Sequence, residues 1–224
     1  SLDVRADRSF NSYNTEDIMK LYYSPGACSL SPHIVLREAG ADFELDRVDL
    51  KNKTTQSGAD YLKICLKGYV PALELETGDV ITEGVAITQF IADRFPDAGL
   101  APPFGSVERA KLQGVLNFIS SELHKSFSPL FSATATEEQI REAPAKIAKC
   151  LDYIEARFCD GRPYVMGDNY SIADAYLFVV ASWSNVKGIS LEAWPKLQAF
   201  LARVEKRPAV REALRFEAIP TEIK

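Results

Sequence analysis

Apolar and polar positions alternate between two rhythms along this chain. Lys20 to Tyr23 is a short strand-like run that stops at Ser24-Pro25-Gly26. Beyond the break, Leu30, Ile34, Val35 and Ala39 recur at helical spacing, which predicts a helix with Cys28 in its first turn. Leu45 to Leu50 alternates like a half-buried strand, Lys51 to Asp60 reads as a polar loop, and Tyr61 to Leu66 as a short helix. Val70-Pro71 leads into a strand at Ala72 to Leu75. Glu76-Thr77-Gly78-Asp79 then turns the chain back along Val80-Ile81-Thr82. Glu83-Gly84 opens a helix with Ile87, Phe90, Ile91 and Phe95 on its apolar stripe.

Phe95 to Ser106 holds three prolines and two glycines and breaks all periodicity. Residues 19–98 are therefore expected to form one domain and 99–106 a linker, with an all-helical domain over 107–224. In that half, Leu112, Val115, Leu116, Ile119 and Leu123 form one stripe. Thr136 to Gln139 and Ser171 to Asp174 read as capping boxes. The first opens a helix carrying Ile140, Ile147, Leu151, Ile154 and Phe158, with a kink expected at Pro144. Ala175 to Trp183 is apolar on nearly every face, so it is expected at the centre of its domain, ending at Gly188. Trp194 to Lys206 is the last helix the pattern predicts. Ser1 to Ile18 has no periodicity and is expected to be a dispensable extension ahead of the fold.

Composition narrows the function classes. At 224 residues, 46% hydrophobic and 25% charged, the chain has ordinary globular composition. A net charge of −5 argues against nucleic acid as a partner. No apolar run is long enough for a membrane span, and the first residues lack the apolar core of a secretory signal. Cys28, Cys65, Cys150 and Cys159 include no C-x-x-C pair, and with two histidines they form no zinc pattern, so no metal is expected. A reducing cytoplasm is the simplest compartment.

Three groups of residues carry candidate chemistry. Cys28 at a helix start would meet free backbone N–H groups and the positive end of the helix dipole, which push a thiol towards thiolate and hold anions. The other reading is a small buried cysteine. Asn117, Ser121 and His124 share one helical face at ~100° per residue. That face is either solvated or lines a cleft against Cys28, with His124 as donor or as acid/base near neutral pH and Lys125 within reach of an anion. Glu83-Gly84 is either a plain helix start or a clamp for an α-amino-acid head group, carboxylate on the Gly84 amide and ammonium on Glu83. His33 reads as structural. C-x-x-S at Cys28 lacks a resolving thiol, so reaction with a disulfide would end in a mixed disulfide.

The hairpin's Val-Pro downstream of a βα cysteine is similar to the thioredoxin-like arrangement, in which the proline is commonly cis. In order and spacing, Met19–Leu30, Gly68–Leu73, Thr82–Ile87, Asn117 with Ser121–Lys125, and Ser171–Tyr176 together resemble a bacterial, beta-class glutathione transferase over about Met19 to Phe216. The resemblance implies an α/β thioredoxin-like N-terminal domain plus an all-α C-terminal domain, in a homodimer. It implies an enzyme that conjugates glutathione, its co-substrate, to hydrophobic electrophiles. It further implies that Ala27, Cys28, Lys53, Val70, Pro71, Glu83, Gly84, Ser121 and His124 line the glutathione site. Asn117 would reach the partner subunit's glutathione, and Tyr23 would lie near the thiol. Cys28 and His124 are the implied catalytic pair, with an electrophile pocket between the N-terminal loop and Phe127–Phe131. A glutathione-dependent disulfide or peroxide reductase working through Cys28, and a non-catalytic binder of hydrophobic ligands, are the alternatives. Two departures stand out: Tyr69 replaces the family's usual glutamine, and Cys65 adds a thiol near the site.

Overall fold

The computed structural model describes residues 18–219, so the expectation for Ser1 to Ile18 lies almost wholly outside it. The first half alternates strand and helix: β1 (Met19–Tyr23), α1 (Leu30–Glu38), β2 (Phe43–Asp49), β3 (Thr54–Thr55), α2 (Tyr61–Ile64), β4 (Ala72–Glu74), β5 (Val80–Thr82) and α3 (Gly84–Arg94). The strands form one sheet in the order β3-β2-β1-β4-β5. β1 runs parallel to β2, Leu21 opposite Leu45, and antiparallel to β4, Leu21 opposite Leu73. This is the thioredoxin-like layout, and Val70–Pro71 is cis. The loop expected over Lys51 to Asp60 contains β3, which the period-2 pattern is too short to reveal.

The second half is helical: α4 (Val107–Phe118), α5 (Lys125–Phe131), α6 (Glu137–Arg157), α7 (Ile172–Val186), α8 (Pro195–Glu205) and α9 (Pro208–Phe216). α6 runs through Pro144 as one helix. Beyond the last helix the pattern predicts, Pro208 starts α9, because a proline at the first helical position gives up an N–H that has no partner there. Both capping boxes form. At the second, Asp174 is fully buried and accepts from the amides of Val165 and Ser171 at 2.8 Å and from the Ser171 hydroxyl at 2.9 Å. Burial lifts its carboxyl to about 6 despite those donors.

α7 is buried almost throughout, as its all-round apolar sequence requires. Against it pack α1 and α3 from the sheet side, so one core runs from Leu21 and Ile34 to Leu177 and Val180. The segment 99–106 is pinned at its ends: the Leu100 carbonyl accepts from Ile172 N at 3.0 Å, and buried Arg109 donates to the Pro102 carbonyl at 2.7 Å. The two halves are thereby held in one register, and a cleft opens between them.

Between α4 and α5 the regular helix gives way. Ile119–His124 is π-helical, with each turn one residue wider than in an α-helix. Leu112, Val115, Leu116, Ile119 and Leu123 still all reach the core. The polar residues on the far side, however, turn by less than ~100° per step.

Candidate functional site

The cleft has a volume of about 940 Å³. Its sheet-side wall comes from loops at strand ends. The turn after β1 supplies Ala27 and Cys28, and Lys53 follows from the β2–β3 region. Val70 and Pro71 enter just before β4, Glu83 and Gly84 just after β5. The helical wall supplies Asn117, Ser120, His124, Lys125, Phe131, Tyr176 and Trp183.

Cys28 lies two residues ahead of α1, in a turn, and not in the helix's first turn as the spacing predicts. The helix starts late because Leu30 N and Ser31 N bond back to Ala27 O and Cys28 O in tight turns. The thiol donates to the Val70 carbonyl at 3.3 Å. Burial pushes it up to about 11, against the pull of the Cys28 and Ser29 amides. The expected thiolate is therefore corrected: desolvation outweighs the amides, and Cys28 stays a thiol at neutral pH.

Gly26, in left-handed conformation at φ 71°, holds this turn against the helical half. Its amide donates to Glu217 at 2.9 Å, and its carbonyl accepts from the Trp183 indole at 2.9 Å. Glu217 also bonds buried His33 Nδ1 at 2.7 Å, and Arg37 donates to Nε2 at 2.9 Å, which bears out a structural His33. Tyr23 does not reach the cleft. Strand alternation sends it to the α1 side, where its ring packs 6.2 Å from Phe216 and 6.3 Å from His33.

At the opposite end, Lys53 donates to the Gly68 carbonyl at 2.8 Å, and Lys67 pairs with the Glu83 carboxylate. Glu83 holds φ 71°, unusual for a residue with a side chain, and precedes the free amides that begin α3. Tyr69 is 70% exposed at the rim, whereas Cys65 is buried in the lining. All four cysteines are unpaired.

On the helical wall, His124 Nδ1 lies 2.7 Å from the Tyr176 hydroxyl, and its ring meets Trp183 edge-on at 4.9 Å. Burial lowers its pKa to about 4, and the Lys125 charge adds to that. His124 is therefore a neutral imidazole at pH 7, which corrects the expected acid/base near neutrality. Ser121 is corrected too: it faces solvent, with its hydroxyl on the Asn117 carbonyl at 2.9 Å, and Ser120 lines the cleft instead. The π-helical turn causes this exchange, since a regular helix would have kept Ser121 beside Asn117 and His124. Asn117 is exposed in the lining of the same cleft. Phe127 is fully buried in the core, so of the expected Phe127–Phe131 wall Ser128 and Phe131 line the cleft.

The sequence did not single out Ser120, Tyr176 or Trp183 as site residues. Tyr176 and Trp183 sit inside an apolar helix, and only their polar tips distinguish them. Among the described residues no group of acidic, histidine or cysteine side chains could hold a metal ion, and no helix is long and apolar enough to cross a membrane.

Residues 18–93 match the glutathione S-transferase N-terminal domain and residues 118–208 the glutathione S-transferase C-terminal domain. The chain is 44% identical over 201 residues to glutathione S-transferase GstA of Escherichia coli O157:H7, covering 90% of this chain and 100% of that one. It is similar to the structure of a sphingomonad glutathione S-transferase complexed with glutathione (43% identity, TM-score 0.86, covering 90% and 100%). It is likewise similar to the bacterial beta-class glutathione S-transferase of Sphingomonas chungbukensis (42% identity, TM-score 0.87, covering 90% and 100%). The chain belongs to the bacterial glutathione S-transferases.

Proposed function

We propose that this chain conjugates the glutathione thiolate to electrophilic, mostly hydrophobic small molecules. One observation carries the reading: a single cleft joins a backbone-lined recess at Cys28 and Val70 to an imidazole, His124, on the facing wall. The residues fit the tripeptide. Its carboxylates meet Lys53 and the free amides from Gly84, and its ammonium meets Glu83. The chain edge before β4, at Val70, offers main-chain groups to its backbone.

Bound there, glutathione supplies a sulfur whose electron pair forms the new S–C bond as the electrophile's leaving group, or its π pair, departs. The thiol proton passes to solvent. This chain's part is to make the thiolate cheap. The Cys28 and Ser29 amides offer donors at the turn. His124, neutral and anchored at Nδ1, carries its proton on Nε2 as a further donor when Tyr176 donates to Nδ1. Cys28, held as a thiol, contributes contact and polarity rather than nucleophilicity. That weighs against a reductase working through a Cys28 mixed disulfide.

A homodimer fits the apolar surface beside the cleft, where Leu62, Leu66 and Tyr69 stand exposed, Leu66 at 91%. A reducing, cytoplasmic location suits a site that works on a free thiol. Turnover of 1-chloro-2,4-dinitrobenzene with glutathione tests the conjugation. Glutathione-dependent release of chloride is expected, and binding of glutathione with no turnover of any electrophile would leave only a binder.

A further inference from the structure

We propose that the electrophile end of the cleft selects second substrates bearing a carboxylate or similar organic anion, held by Lys125. This rests on the conjugation reading and adds the charge of the second substrate. The acidic and basic side chains in the lining, histidine aside, are Lys53, Lys67, Lys125 and a single carboxylate, Glu83. Lys67 pairs with Glu83, and Lys53 is bonded to the Gly68 carbonyl, both at the end assigned to the tripeptide. Lys125 comes from the other wall and has no hydrogen bond or ion pair with any described residue.

Its surroundings have the character of a site for an aromatic acid. Phe131, Tyr176 and Trp183 give flat apolar surface, and Ser128 and Ser132 give hydroxyls. The Lys187 ammonium lies 3.9 Å from the centre of the Phe131 ring, which puts a second positive charge behind that wall. A neutral apolar electrophile forms no ion pair with these two cations when it binds. Lys125 and Phe131 are both exposed, so an anion there would gain a partly screened ion pair beside aromatic surface. The Lys125 charge also reaches the reacting centre, since it helps hold His124 neutral.

The rival role for Lys125 is to stabilise the glutathione sulfur, and an isosteric pair of electrophiles separates the two. With 4-chloro-3-nitrobenzoate and 4-chloro-3-nitrobenzamide, sulfur bonds to the chlorine-bearing carbon and chloride leaves with its bonding pair. The kcat/KM ratio of benzoate to benzamide is expected to fall about fivefold in Lys125→Met, equivalent to about 1 kcal/mol, and to be largely restored in Lys125→Arg. An unchanged ratio overturns the proposal, including the case in which both substrates slow together. Failure of the unaltered chain to turn over either compound, or any other electrophile, overturns the conjugation reading and this proposal with it.

Discussion

The two walls of the cleft are built by opposite means. The sheet-side wall presents mostly main-chain groups: the Val70 carbonyl, the amides at Cys28 and Ser29, and the free amides beginning α3. The helical wall presents side chains, and each is set by packing behind it: His124 by Tyr176 and Trp183, and those two by the buried α7. A main-chain donor survives substitution of its own side chain, while a side-chain donor does not. The walls should therefore respond differently to mutation.

The largest effect is expected where the helical wall is anchored. Asp174→Ala strands two buried amides and removes a cap, and should cost about 3 kcal/mol, read as a lower urea midpoint. Next comes His124→Ala. Loss of a hydrogen bond to a charged sulfur is expected to cost about 2 kcal/mol, or roughly 30-fold in kcat/KM, with activity partly recovered at higher pH. The burial that keeps His124 neutral has its own signature. Its folded pKa, about 4, lies below the unfolded value of about 6.5, so the unfolded chain takes up the proton first. Its contribution to stability is therefore complete above about pH 6.5 and is lost as pH falls towards 4. The stability difference between the chain and His124→Gln should shrink by about 1–2 kcal/mol between pH 7 and pH 5.

A smaller change is expected for Tyr176→Phe, which keeps the ring and removes the partner of Nδ1. About fivefold in kcat/KM corresponds to about 1 kcal/mol. Smallest of all should be Cys28→Ala. The amides remain, so conjugation is expected within about threefold of the unaltered chain, equivalent to about 0.6 kcal/mol. A fall as large as that of His124→Ala would mean that the sheet-side wall also works through its side chain.

The same contrast governs what the residues reveal in advance. The sheet-side wall is legible because its features are written as punctuation: Pro25-Gly26 ends a strand, Val70-Pro71 begins one, and Glu83-Gly84 opens a helix. Cys28 is found from that pattern, but not its protonation, because burial arises from distant packing that no local spacing encodes. The helical wall is less legible. Its apolar stripe is read correctly, yet nothing in Ile119–His124 announces the π-helical turn that exchanges Ser121 for Ser120. Tyr176 and Trp183 are hidden in an all-apolar helix, and their role appears only once α7 packs behind His124 and Gly26.

The ionisation of glutathione bound to Cys28→Ala tests the account most directly, because this variant removes the protein's own thiol from the cleft. Ultraviolet absorbance of the bound thiolate, followed against pH, should show it formed at neutral pH, well below the range of the free thiol. A bound tripeptide that keeps its ordinary thiol pKa would contradict an account in which main-chain amides and His124 make the nucleophile.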